Sequence, residues 1–266
     1  MPSARPSLLL IGWGAIGRLV IDRLGKEAAM AALVRPGRAE AARAALPGEV
    51  AVVENLDALT ALPPLVVECG GHGAVREHGA TVLSRGAELV VVSTGALADP
   101  ALFETLKAAA ERGGGRLSLV SGAVGGIDAL AAAREGGLSK VVYTGRKPPA
   151  GWRGTAAEKV VDLDTISGPT EVYRGNAGEA ARRFPQNANV AATIALAGLG
   201  LEATEATLIA DPAATGNIHR IEAEGTFGRF SLEFSGKTLP SNPKTSMMAA
   251  LSVVRAVRNR IGRISI

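Results

Sequence analysis

The sequence predicts an α/β protein, with an N-terminal doubly wound parallel sheet followed by a smaller α+β domain built on a mainly antiparallel sheet. Three observations predict it. From Leu8 to about Val120, short apolar runs alternate with segments of helical period; a glycine-rich turn joins the first run to the first such segment; and beyond Ser121 the grammar changes to paired, alternating runs. The runs of the first part are 8–11, 30–34, 50–53, 65–69, 88–92 and 116–120. Being mainly apolar without a period of two, they read as strands covered on both faces, as in a parallel sheet. Helical segments are predicted at 15–24, 39–46, 75–85 and 101–112, the last opened by Asp99-Pro100 as cap and first-turn proline.

In the second part, the glycine-rich turn 121–126 leads into a predicted helix over 127–134. The clearest strands are 206–210, 218–224 and 229–234. In the last of these Phe230, Leu232 and Phe234 alternate with Arg229, Ser231 and Glu233, the mark of one covered and one wet face. The tail 246–258 returns to helical spacing. Domain limits are therefore expected at 1–120 and 121–240, with 241–266 packing back on the first domain.

Gly12-Trp13-Gly14-Ala15-Ile16-Gly17 follows the first strand and opens the first helix. In this position a G-x-G-x-x-G has a mechanism: the first glycine turns the chain, the second admits a pyrophosphate to the backbone, and the third lets helix and strand approach. The free N–H groups of the helix start then meet the phosphates. The first domain is thus predicted to be of Rossmann type and to bind NAD or NADP. An acid normally ends the second strand to take the ribose 2′-hydroxyl of NAD, but this chain reads Leu33-Val34-Arg35-Pro36-Gly37-Arg38. Arg35 and Arg38 suit a 2′-phosphate. Solvated loop arginines are the plain alternative, and both cofactors stay open.

The three histidines differ in setting. His72 stands in the turn Gly70-Gly71-His72-Gly73, at the carboxyl edge where an open α/β sheet binds ligands, beside Cys69 and Gly70. Cys69 and His72 lack a second pair to complete a metal site, so no metal is expected. His78 reads as an exposed helix residue. His219 shares a strand face with Ile221 and Ala223 and points to the covered side. It is either a satisfied core histidine or an imidazole placed for acid–base chemistry near neutral pH. Asn187 and Asn189 flank a predicted helix start, where either could cap it or bind a ligand. Arg146 and Lys147 end a strand before Pro148-Pro149 and form the best cationic cluster for an anionic ligand.

Composition excludes several classes. In 266 residues there are 33 glycines but only five Phe, two Trp and two Tyr, too few π-faces for a protein that stacks single-stranded bases. The net charge of +4 is spread along the chain, so no nucleic-acid partner is expected. No apolar run approaches the roughly 18 residues of a membrane span, and the run 8–11 is too short for a signal peptide. A single cysteine allows no internal disulfide, which makes the cytoplasm the expected compartment.

Together with the glycine loop, Glu68-Cys69-Gly70-Gly71, Ser121-Gly-Ala-Val-Gly-Gly-Ile-Asp128, Thr144-Gly-Arg-Lys-Pro-Pro149, Phe184-Pro-Gln-Asn-Ala-Asn-Val-Ala-Ala192, Asp211-Pro, Gly216-Asn-Ile-His-Arg-Ile-Glu222 and Asn242-Pro-Lys-Thr-Ser246 resemble the L-aspartate dehydrogenase family over essentially the whole chain. The resemblance implies NAD(P)-dependent oxidation of L-aspartate to iminoaspartate, which feeds NAD biosynthesis or hydrolyses to oxaloacetate and ammonia. It implies His219 as the catalytic residue, Ala123 and Asn189 as cofactor contacts, and a homodimer. Arg146, Lys147 and Asn187, with Lys244 and Thr245, are the candidates for the two substrate carboxylates. The rival readings are a related amino-acid dehydrogenase or imine reductase with another substrate, and a dinucleotide-sensing module without chemistry.

Overall fold

Leu8, Leu9 and Leu10 are fully buried because the strand that carries them has a neighbour on each side and a helical layer on each face. The computed structural model describes residues 5–184 and 189–266. The chain divides into two compact units: the first contains residues up to Val120 together with Leu239–Thr245 and Ala249–Ile266, the second Ser121–Thr238 and Ser246–Met248.

Unit 1 runs β1 (Ser7–Ile11), α1 (Ala15–Leu24), β2 (Ala29–Leu33), α2 (Ala39–Ala45), β3 (Ala51–Val53), β4 (Leu65–Glu68), α3 (His72–Ser84), β5 (Glu88–Val91), α4 (Pro100–Gly113) and β6 (Arg116–Leu119). All six strands are parallel, in the order β3-β2-β1-β4-β5-β6. The order reverses at β1, where Ile11 lies opposite Leu33 on one side and Glu68 on the other. The loops leaving β1 and β4 therefore diverge at the carboxyl edge, which is where an open sheet of this kind forms its ligand crevice. Asp99 caps α4 through the N–H groups of Ala101 and Leu102, with Pro100 in the first turn as the sequence predicts.

Unit 2 contains α5 (Ile127–Gly136), β7 (Leu138–Lys147), β8 (Thr170–Asn176), α6 (Ala177–Arg183), α7 (Asn189–Ala197), β9 (Glu205–Ala210), β10 (Asn217–Gly225) and β11 (Gly228–Gly236). Its sheet order is β11-β10-β7-β9-β8. Three of its four pairings are antiparallel, and β7 with β9 is parallel. Tyr143, Gly145 and Lys147 on β7 share the buried face with His219, Ile221 and Ala223 on β10, with His219 opposite Gly145.

The chain closes with β12 (Thr238–Leu239), β13 (Asn242–Ser246) and α8 (Met247–Ile261). Val253, Val254 and Val257 of α8 join the core of unit 1 with Leu8, Leu10 and Val20, each burial contributing about 1.5–3 kcal/mol. Arg260 of α8 bonds Glu88 at 2.6 Å and Arg258 bonds Glu27 at 2.8 Å. Among the described residues no helix is long and apolar enough to cross a membrane.

Candidate active site

The turn after β1 is shaped by what its glycines leave out. Gly12 has φ +98°, and a Cβ there would stand 2.8 Å from the Gly70 backbone; one at Gly17 would stand 2.5 Å from the Gly12 carbonyl oxygen. A Cβ at Gly14 would meet nothing within 4 Å, so its backbone faces open space. Gly14 precedes α1 and offers no side-chain cap, leaving the first N–H groups of the helix for a ligand. A tight turn, an open approach and a close helix–strand contact are the three features a dinucleotide pyrophosphate requires, and the residues present fit that group.

A cavity of about 530 Å³ opens on this loop. Gly12, Trp13 and Gly14 line its floor, Arg35, Pro36, Arg38 and Glu54 one rim, and Cys69, Gly70, Gly73, Ala74, Glu77 and His78 the other. Trp13 is held by Arg18, whose guanidinium lies 4.7 Å from the ring centre and whose Nε donates to the Trp13 carbonyl. Cys69 donates its thiol to the Gly12 carbonyl at 3.3 Å, and burial pushes its pKa up, so it is a protonated structural donor and not a nucleophile. Glu68, fully buried, accepts from the N–H groups of Gly70 and Gly71 and from both the N–H and hydroxyl of Ser93. It ties the β4 and β5 loops together behind the cavity.

In unit 2, the His219 Nδ1 lies 2.9 Å from the Tyr143 hydroxyl, and both side chains are buried. Burial, with the charge of Lys147 added, pushes the imidazole down to about 4. Lys147 is itself buried and pushed down to about 8 by desolvation, its ammonium 5.4 Å from the centre of the Trp152 ring. At neutral pH this face presents a neutral imidazole, a neutral phenol and a largely charged amine.

The model for the NAD binding domain of homoserine dehydrogenase matches residues 12–119, and that for the C-terminal part of aspartate dehydrogenase matches residues 128–260. The L-aspartate dehydrogenase of Ruegeria pomeroyi is 51% identical over 257 residues, 96% of this chain and 93% of that protein. The chain belongs to the L-aspartate dehydrogenase family. The family member from Ralstonia nicotianae is 49% identical over 263 residues, covering 97% and 98% of the two chains. The crystal structure of aspartate dehydrogenase from Thermotoga maritima superposes with a TM-score of 0.78 at 28% identity, over 98% of this chain and 99% of that one.

As in other members of the L-aspartate dehydrogenase family, the cofactor is NAD or NADP. Of the residues expected to hold it, Gly12, Trp13, Gly14, Arg35, Cys69 and Gly70 line the cavity. Ala15, Ile16 and Gly17 form the start of α1 behind it, Ile16 packing on the core of unit 1. Ala123 lies in the turn before α5, and Asn189 is the first described residue of α7. Asn187 lies outside the described residues; Lys244 and Thr245 fall on β13.

Three expectations need correction. Arg146 and Lys147 do not form one cationic cluster, because neighbours on a strand point to opposite faces; Lys147 shares the buried face with His219, while Arg146 pairs with Asp211 at 3.4 Å. His72 is not in a turn but begins α3, since Gly71 at φ +97° makes the bend by itself. His78 is half-buried on the cavity wall and not solvated: Gly73, Ala74, Glu77 and His78 recur at the i, i+4 spacing of one helix face. That periodicity was available in the sequence. Glu54 and Tyr143 carried no local signal, because each is placed by pairing with a distant strand.

Proposed function

We propose that this protein oxidises L-aspartate to iminoaspartate with NAD or NADP, the imine then hydrolysing to oxaloacetate and ammonia. The observation that carries the reading is the full-length identity of about half to L-aspartate dehydrogenases in a chain that has both a glycine cradle fit for a dinucleotide and a buried His219–Tyr143 pair.

The substrate amine must lose a proton before the Cα–H bond can break with its electron pair and a C=N bond form. When bound, the nicotinamide supplies the acceptor for that hydride. Burial beside Lys147 leaves His219 neutral but a weak base, and the two carboxylates of bound aspartate would raise its basicity toward the range that taking the proton requires. This role requires the tautomer in which Nδ1–H donates to the Tyr143 oxygen, 2.9 Å away, which fixes the ring and leaves Nε2 its lone pair. Once it has released that proton to solvent, the same nitrogen is suited to activating water against the imine. Lys147, on the same face, is the cation offered to a substrate carboxylate, and its burial strengthens that attraction relative to a solvated lysine. A cytoplasmic homodimer belongs to this reading: a single cysteine forms no internal disulfide and needs no oxidising compartment, and two-fold pairs are the commonest assembly.

The test follows reduced cofactor with L-aspartate, L-glutamate, L-alanine and homoserine, each with NAD and NADP. L-aspartate is expected to dominate. His219→Ala should lower kcat by about 10²–10⁴-fold while cofactor affinity is unchanged. Near-normal turnover in that variant would overturn the role of His219. Tight cofactor binding without turnover of any amino acid would favour a sensing module.

A further inference from the structure

The rim of the dinucleotide cavity holds opposite charges that do not neutralise one another. Arg35 and Arg38 are exposed on the turn after β2, and among the described residues neither is ion-paired. Glu54 reaches the same rim from the neighbouring strand. β3 pairs in parallel with β2, Leu33 opposite Val53, and the ladder continues as the Val34 N–H donates to the Val53 carbonyl at 2.9 Å. Glu54, the next residue, therefore emerges beside the carboxyl end of β2, where the second strand itself has no acid. Its Oε1 accepts from the Ala39 N–H at 2.9 Å, which fixes the side chain against the first turn of α2. The arginine turn spans the short stretch between these two anchors.

We propose that Glu54 is the acceptor for the adenosine ribose 2′-hydroxyl of NAD, that Arg35 and Arg38 hold the 2′-phosphate of NADP, and that the charge at residue 54 sets the balance between the two cofactors. A carboxylate accepts from a hydroxyl but repels a phosphate, whereas a guanidinium fork matches a phosphate and gains little from a hydroxyl. Folding Glu54 away when a phosphate enters would break its bond to the Ala39 N–H, so the arginines are left to offset its charge. A single rim is thereby open to both nucleotides. This assignment rests on the dinucleotide site and is independent of the role of His219.

Two fragments isolate the difference, 5′-AMP and adenosine 2′,5′-bisphosphate, with binding to the intact protein measured by calorimetry alongside KM for NAD and NADP. Glu54→Gln keeps an oxygen for the Ala39 N–H and removes the charge; it should tighten the bisphosphate by about tenfold and leave 5′-AMP unchanged or weaker. Arg35→Ala with Arg38→Ala should weaken the bisphosphate by about tenfold or more and change 5′-AMP by less than about twofold. The ratio of the two affinities within each variant is the readout, because any damage to the fold weakens both fragments together. An unchanged ratio in Glu54→Gln would overturn the assignment of Glu54. Equal weakening of both fragments in the arginine variant would overturn that of the arginines and assign them to the shared 5′-phosphate. If the unsubstituted protein bound neither fragment, the dinucleotide site itself would be wrong.

Discussion

Glu68 ends a strand whose other residues, Leu65, Val66 and Val67, are buried and apolar. A carboxylate in that place is costly unless hydrogen-bonded, and here every contact it makes is with a donor: the N–H groups of Gly70, Gly71, Val92 and Ser93 and the Ser93 hydroxyl. Burial pushes its pKa up while these bonds pull it down. The bonds go to two separate loops, so the residue orders the carboxyl edge of the sheet more than it adds to stability. Glu68→Gln turns an amide N–H₂ toward donors and should cost about 2–4 kcal/mol. Because Gly70 lines the cavity, the same variant should raise the KM for cofactor about tenfold, with a smaller change in kcat. Denaturant titration and steady-state kinetics check both; wild-type stability and cofactor KM would show that the loops hold their shape without Glu68.

At the scale of the element, β7 positions the chemistry of unit 2. Its alternation puts Tyr143, Gly145 and Lys147 on one face, and Gly145 is small for a reason visible in the geometry: a Cβ there would lie 2.5 Å from the Tyr143 hydroxyl oxygen. The glycine clears the path by which that hydroxyl reaches His219, directly across the ladder. Gly145→Ala should therefore destabilise by about 1–3 kcal/mol through overpacking and lower kcat by releasing the imidazole. Removing the clashing oxygen with Tyr143→Phe in the same chain should restore part of the stability but not the activity. A double variant no more stable than Gly145→Ala alone would place the strain elsewhere. Much of this architecture was legible in the sequence, because the central strands β1, β2, β4 and β5 are mainly apolar runs and β10 and β11 alternate. β8 was not, and the reason is physical: a bulge between Glu171 and Tyr173 makes the adjacent Val172 and Tyr173 both buried, which breaks the period of two. The parallel β7–β9 pair was hidden for a different reason. It depends on the connection through β8, α6 and α7, and no local pattern announces that register. Among the site residues, the glycine loop could be read from spacing, whereas Glu54 and Tyr143 could be placed only once their strands were paired.

On the scale of the whole molecule, two buried groups, His219 in unit 2 and Glu68 in unit 1, respond to acid with opposite sign. His219, in unit 2, has a folded pKa of about 4 against an ordinary 6.5, so between these values the unfolded chain binds the extra proton and stability falls as pH falls. Fully expressed, that is about 3 kcal/mol. Glu68, in unit 1, is shifted upward, so the folded state takes a proton first and stability rises as pH falls toward the ordinary carboxylate range. Glu88, where burial is outweighed by hydrogen bonds from Arg260 and Ser118, lies below its ordinary value and acts only in stronger acid. Each unit carries its own reporter, Trp13 in unit 1 and the fully buried Trp152 in unit 2, which donates to the Ile209 carbonyl. Denaturant titrations of Trp13→Phe and Trp152→Phe variants at pH 7 and pH 5 should show the Trp152 transition moving to lower denaturant and the Trp13 transition moving less or upward. His219→Gln should remove the shift at Trp152, because no imidazole is left to charge on unfolding. If the Trp13 transition fell as far as that of Trp152, or if His219→Gln kept the full shift, acid sensitivity would arise from groups other than the buried imidazole.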